Sequence, residues 1–170
     1  IQHWGNVQFT DENPYDYYNY LKSIGAYGEI MVPGFGGATA VTEFEFLTGN
    51  NTVAISNSLP TAYKTLITQD TYSIVRRFKN MGYTADAMHP GFPWFYNRQN
   101  VYKRMGFDSF TSREDLKGEV PEVNSYALDT VSADMIINAY NNHLEENPDK
   151  GYFNFLVTIQ NHGPYNDHRL

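Results

Sequence analysis

The stretch Pro33–Gly49, Pro-Gly-Phe-Gly-Gly-Ala-Thr-Ala-Val-Thr-Glu-Phe-Glu-Phe-Leu-Thr-Gly, sets three glycines ahead of one hydroxyl and then runs on as a helix-compatible segment. Gly34, Gly36 and Gly37 permit backbone angles that a side chain forbids, so the chain can bend sharply and bring amide groups close to a ligand. Ala40–Leu47 lacks Gly and Pro, which suits a helix starting near Thr39. A hydroxyl there sits at the positive end of a helix dipole, where unpaired N–H groups favour an anion such as phosphate or sulfate. The same residues also read as ordinary helix starts: Thr is a common N-cap, and Thr42 with Glu45 has capping-box spacing.

Outward from this stretch the chain reads as an α/β protein. Asn13-Pro14 opens a helix through Ser23 that carries Tyr17, Tyr20, Leu21 and Ile24 at helical spacing and stops at Gly25. Glu29–Val32 reads as a short strand entering the Gly-rich turn, and Gly49–Pro60 as a surface crossing. Thr71–Met81 is a helix stopped by Gly82; Tyr83–Met88 is a strand that delivers His89-Pro90-Gly91-Phe92-Pro93-Trp94-Phe95-Tyr96-Asn97-Arg98 into a loop. A short helix from Asn97 to Met105 ends at Gly106, Phe107–Phe110 is extended, and Thr111–Asn124 is charged and irregular. Ala127–Leu144 is the longest helix, with Leu128, Val131, Met135, Ile136 and Tyr140 as its buried stripe. Phe153–Ile159 reads as a central parallel strand leading into Gln160–Tyr165. Strands that each end in a polar loop point to one crevice at the carboxyl edge of a mostly parallel sheet.

With 170 residues, 41% hydrophobic and 18% charged, the chain predicts one globular unit with a real core. Fourteen Tyr and eleven Phe suggest an amphipathic, sugar-facing surface or ordinary half-buried packing. A net charge of −7 without any basic run argues against nucleic acid as a partner. With no cysteine there is no disulfide, thiolate metal site or cysteine nucleophile. No apolar run reaches the ~18 residues of a membrane span. The chain opens on Ile1, so the expectation is an excised piece of a longer protein whose anchor or targeting segment lies elsewhere.

His89 and His162 each follow a β-prone run and precede Pro or Gly-Pro, which puts both at the sheet rim. Imidazole there can hold an oxyanion, act as acid or base, bind a metal, or simply brace a loop. Arg98 offers a forked pair of donors suited to phosphate or sulfate. Trp94, Phe95 and Tyr96 line a pocket for an apolar or sugar moiety, or plug the core beneath the loop. Glu43 and Glu45, two apart on a helix, read as salt-bridge or capping residues. His3, His143 and His168 have no such setting.

Three co-linear motifs, Gly36–Gly49, Met88–Phe110 and Thr158–Tyr165, resemble the lipoteichoic acid synthase-like, or phosphoglycerol transferase, branch of the sulfatase and alkaline phosphatase superfamily. The resemblance implies an alkaline phosphatase-like α/β/α sandwich with a mostly parallel sheet, here truncated at both ends. It also implies a catalytic domain on the extracellular face of a bacterial membrane, in a membrane-anchored parent. Such enzymes transfer or hydrolyse phosphate or sulfate esters, among them lipid-linked glycerol phosphate, with a divalent cation, Mn2+ or Mg2+. By position, Thr39 is implied as the nucleophile and a metal ligand, and His89, Arg98 and His162, with Trp94 and Tyr96, as the substrate-binding set. Ala38, Gly91 and Tyr96 stand where the lipoteichoic acid synthases carry Lys, an acidic residue and Trp, which leaves esters other than polyglycerol phosphate open. The remaining metal ligands of the family are expected from strands before residue 1 and after residue 170, so residues 1–170 are expected to be a central fragment of one catalytic domain, without bound metal and inactive alone.

Two rival expectations stand beside this one. A sulfatase or phosphodiesterase would pass the group to water, although Thr39 and the lack of Cys disfavour formylglycine chemistry and so favour phosphate. A non-catalytic module binding cell-wall carbohydrate would use the aromatic surface instead.

Overall fold

The computed structural model describes residues 13, 15–32, 38–55 and 62–163. The chain divides into two compact units, 1–32 and 33–170. In the first unit, helix α1 (Asp16–Ile24) begins where Asn13 Oδ1 accepts from the Tyr15 amide at 3.0 Å, and Gly25 closes it with a 3.0 Å bond to the Leu21 carbonyl. Lys22 Nζ lies 4.6 Å from the centre of the Tyr27 ring, while α1 has no buried residue, so the stripe predicted to pack is exposed. The predicted strand Glu29–Val32 does not form: these residues have no paired neighbour among the described residues, and an extended segment becomes a strand only through such pairing.

The second unit holds helices α2 (Thr39–Thr48), α3 (Thr52–Ile55), α4 (Ala62–Thr65) and α5 (Ile74–Asn80), then strand β1 (Thr84–His89), helix α6 (Arg98–Met105) and strand β2 (Ser109–Ser112). Strands β3 (Glu122–Val123) and β4 (Tyr126–Ala127) form a hairpin, followed by helix α7 (Asp129–Glu146) and strand β5 (Tyr152–Leu156). The main sheet is wholly parallel in the order β2-β1-β5, so the chain leaves β1 to one side, returns, and crosses to the other. That reversal beside β1 is the switch point at which open α/β sheets build sites.

Alternation along β1 divides the two faces. Ala85 and Ala87, both fully buried, belong to the core made with Val41, Phe44 and Leu47 of α2, Val75 of α5 and Val101, Tyr102 and Met105 of α6. Their β5 partners in register are Phe153 and Phe155, so small residues on the central strand lie beside large rings on its neighbour. Phe153 stacks on Phe78 at 4.7 Å and Phe155 on Phe46 at 5.7 Å. On the opposite face Thr84 Oγ1 bonds His143 Nδ1 of α7 at 2.9 Å. Asp86, on that face, accepts from Ser109 Oγ of β2 at 2.7 Å and from the Tyr152 hydroxyl of β5 at 3.0 Å.

Two helix predictions shift in detail. Ser73 caps α5, accepting from the Arg76 amide at 3.3 Å while its hydroxyl donates to the Met105 carbonyl at 2.5 Å, which delays the helix to Ile74. Helix α7 buries Ser132, Met135 and His143, whereas Ile136 and Tyr140 are exposed. The inward stripe is therefore rotated from the predicted one, because His143 faces the sheet and bonds both Thr84 and the Lys150 carbonyl. Thr111–Asn124, expected to be irregular, contains a capped turn at Ser112–Asp115 and leads into the hairpin. Asn124 and Ser125 have φ of 51° and 66°, the paired left-handed geometry of a two-residue hairpin turn.

Candidate active site

Thr39 is the first residue of α2, and its side chain is exposed at the helix N-terminus. Ala38 before it takes φ 58°, ψ 75°, and no side chain caps the helix there. The glycines at 34, 36 and 37 lie outside the described residues. The predicted Thr42–Glu45 capping box does not form, because the helix starts three residues earlier and leaves Thr42 in its interior. Glu45 instead accepts from the backbone amide of Thr52 at 3.0 Å and from its hydroxyl.

One helical turn below Thr39, on the same face, stands Glu43. Its carboxylate is buried and ion-paired with Arg98: Arg98 Nε donates to Oε2 at 3.2 Å and Nη2 to Oε1. The Tyr63 and Tyr102 hydroxyls also donate to Oε2, at 2.9 and 2.8 Å. Burial and the Glu43 charge push both tyrosine pKa values well above their ordinary range. Burial pulls the Arg98 pKa down, but the Glu43 bonds and charge outweigh it and the net shift is upward. Arg98 was predicted to grip an anion with both arms of its fork. Much of that fork is instead spent on Glu43, while Nη1 is buried with no partner among the described residues. One terminal nitrogen, with its two N–H groups, is thus left unpaired. An unpaired buried donor costs ~1–3 kcal/mol, a cost that an arriving acceptor removes.

Tyr96 and Asn97 bring Arg98 into this position through consecutive left-handed backbone angles, φ 56° and 60°. For a bulky residue such as Tyr this is strained. The Tyr96 ring packs against the core with its centre 5.1 Å from Arg98 Cζ, so it serves as a wall for the guanidinium and is not among the cavity residues.

The carboxyl ends of the three sheet strands meet beside a cavity of about 190 Å³ lined by His89, Gly91, Phe92, Trp94, Arg113, His162 and their neighbours. His89 is 2% exposed, and its Nδ1 donates to the Val157 carbonyl at 2.8 Å, leaving Nε2 as an acceptor. Nε2 is buried and has no partner among the described residues. Burial first, and then the Arg98 charge, lower the His89 pKa from 6.5 to about 4, so the ring is neutral at pH 7. Gly91 packs directly on this ring: a Cβ at 91 would lie 2.5 Å from His89 Nε2. His162 is exposed, with its ring 5.3 Å from that of Tyr126. Trp94 is 61% exposed and stacks on Phe92 at 5.6 Å.

His89, His162 and Trp94 thus share one cavity; Arg98 acts on His89 electrostatically, and Thr39 stands a turn above the residue that Arg98 grips. Sequence reasoning missed Arg113. It directly follows Ser112, the β2 residue in register with His89, and its amide donates to the Gly91 carbonyl at 3.1 Å. Its position after a strand, the same signal that singled out His89 and His162, could have found it. Among the described residues no three of His, Asp and Glu come together to hold a metal, so these residues do not by themselves make a cation site.

Residues 5–170 match the sulfatase family. The chain belongs to the sulfatase family. It is 38% identical over 143 residues, 84% of its length, to a "Putative cyclic beta-1,2-glucan modification protein" of Rhizobium meliloti (strain 1021). It is 27% identical over 141 residues to an uncharacterized protein of Haemophilus influenzae. It spans only 21% and 25% of the lengths of these two relatives. Among solved structures, the lipoteichoic acid synthase LtaP of Listeria monocytogenes superposes with TM-score 0.67 at 20% identity, over 78% of this chain and 31% of LtaP. The phosphoglycerol transferase GacH of Streptococcus pyogenes, solved with sn-glycerol-1-phosphate, gives 0.59 at 27% identity, over 80% of this chain and 35% of GacH. The expected α/β fold with a parallel sheet is thereby borne out.

Proposed function

We propose that the protein containing this chain transfers a glycerol phosphate group from a phosphate ester, lipid-linked in the cell, to a sugar hydroxyl of a glucan, with Thr39 as nucleophile. The observation that carries this reading is the stack of Thr39 over the Glu43–Arg98 pair, with one buried Arg98 donor unpartnered. It is supported by the GacH likeness for the transferred group and by the glucan relative for the acceptor. Thr39 Oγ1 forms a bond to phosphorus as the bond to the leaving alcohol breaks, and that alcohol takes up the threonine proton. The acceptor hydroxyl then forms a bond to phosphorus as the Thr39 Oγ1–phosphorus bond breaks, and the acceptor's proton returns to Thr39 Oγ1. The positive end of α2 and the Arg98 donor offset charge on the phosphoryl oxygens at both steps.

The reading includes a divalent cation, manganese or magnesium, and a site on the extracellular face of a bacterial membrane. Among the described residues, no helix is long and apolar enough to cross a membrane. In the experiment, the full-length protein is incubated with a glycerol phosphate diester and manganese, quenched, and mapped by mass spectrometry. A glycerophosphate adduct on Thr39, absent in Thr39→Ala, is expected. Ester turnover that survives in Thr39→Ala would remove the proposal.

A further inference from the structure

Glu43 accepts side-on from Arg98, with Nε on one oxygen and Nη2 on the other, so the guanidinium plane cannot turn without breaking a bond. The carboxylate is itself fixed. Hydroxyls of Tyr63 on α4 and Tyr102 on α6 both donate to Oε2, and their rings meet edge-on with centres 6.2 Å apart. The Tyr96 ring lies against the guanidinium, and Nη1 is the one Arg98 nitrogen without a bond among the described residues.

Stability does not explain this arrangement. A buried ion pair gains by attraction little more than it loses in desolvation, and apolar residues of similar volume often do as well. An apolar cluster cannot, however, orient a fork of donors. Glu43 also shares helix α2 with Thr39, and the four residues between them amount to about 6 Å of rigid backbone along the axis. One turn of helix therefore sets where the carboxylate stands relative to Thr39, and the carboxylate sets where Arg98 stands.

We propose that Glu43 is a positioning residue: it holds the Arg98 guanidinium at a fixed place relative to Thr39 and so keeps Nη1 in register with the group that Thr39 attacks. This inference rests on the phosphotransfer reading for the identity of that group. Glu43 touches neither ester nor acceptor; it acts through Arg98.

The test uses Glu43→Asp, which keeps the charge that Arg98 pairs with and draws the carboxylate back by one methylene. A displacement of about 1 Å costs about a hundredfold in rate where geometry is critical. In the full-length protein with a glycerol phosphate diester and manganese, Glu43→Asp should therefore label Thr39 about a hundredfold more slowly at saturating ester, with the half-saturating concentration little changed. Urea unfolding is run alongside to establish that the variant is folded in the assay, where a merely structural role would leave the rate unaltered. Arg98→Lys keeps a cation for Glu43 but has no fork to orient. It should slow labelling by itself, and Glu43→Asp added to it should slow labelling no further, because one residue acts through the other. Tyr102→Phe releases one clamp on Oε2 and keeps the ion pair; it takes the place of Glu43→Asp in the same cycle, with a smaller loss, if the aspartate variant does not fold. The proposal is overturned if these variants label at the wild-type rate or if the two losses multiply. The NMR signal of the Arg98 Nε–H group in the chain reads orientation without any phosphotransfer. It should move in the same variants, and an unmoved signal also overturns the proposal. An Arg98 signal that responds to Glu43 in a protein that never labels Thr39 removes the phosphotransfer reading alone, and labelling indifferent to Glu43 removes this inference alone.

Discussion

Replacing Glu43 by glutamine removes one negative charge from a site where four donors converge: Arg98 Nε and Nη2 and the hydroxyls of Tyr63 and Tyr102. The side chains of Arg98 and Glu43 are 2% and 3% exposed, so water cannot take over the lost charge. Stranding one partner of such a pair costs about 3–5 kcal/mol, a large share of the ~5–15 kcal/mol that holds a domain together. The loss is to be measured by urea unfolding at pH 7. A control replaces the whole cluster with apolar residues, Glu43→Leu, Arg98→Met, Tyr63→Phe and Tyr102→Phe, because leaving either tyrosine would bury a hydroxyl without an acceptor. That variant should return to within about 2 kcal/mol of wild type, and it should lose phosphate binding together with the Arg98 donor. A cost for Glu43→Gln below about 1 kcal/mol, the range of exposed pairs, would refute the reasoning.

Between pH 4 and 6.5 the unfolded chain binds a proton at His89 that the folded chain does not. Stability should therefore rise with pH through this window and fall by about 3 kcal/mol on acidification across it, and His89→Gln in parallel urea series should abolish that slope. Gly91→Ala should push the imidazole off Val157, costing about 1–3 kcal/mol and abolishing the slowly exchanging His89 Nδ1 proton signal; an unchanged signal would contradict the packing. Ser73→Ala should lower stability by about 1–2 kcal/mol in thermal or urea unfolding, since it removes the cap of α5; no change would mean that the cap contributes nothing.

Strands β1 and β5 and their loops were legible because each signal is local: a β-prone run, then His-Pro or His-Gly-Pro, then a change of period; the same kind of run at Glu29–Val32 forms no strand. Helix α2 was legible in the same local way, since it starts at Thr39 and stops at Gly49 as its composition indicates. Contacts distant in sequence were not legible. Glu43 and Arg98 are 55 residues apart, and nothing in either motif says that one consumes most of the other's donors. The rotation of α7 was hidden for a related reason. A stripe chosen by hydrophobicity prefers Ile136 and Tyr140, whereas the sheet selects His143, whose hydrogen bonds lie on two other elements. Arg113 was passed over because charge and irregularity made its segment look like solvent-facing loop, when the loop is ordered by a capped turn and an ion pair.

Asp86 carries a consequence for how the crevice is assembled. One carboxylate on the middle strand reaches a serine on one neighbour and a tyrosine on the other, so it works like a dowel through three planks. A slide by one residue in either pairing would pull the dowel out and, given the two-residue repeat of a strand, turn the sliding strand's inward side chains outward. His89 lies three residues further along the same strand, level with Ser112 of β2, and Leu156 of β5 is level with Met88 just before it. The alignment of the rim is thus fixed from within the sheet, so the loops above it can change sequence from one relative to another without misaligning the floor on which they stand.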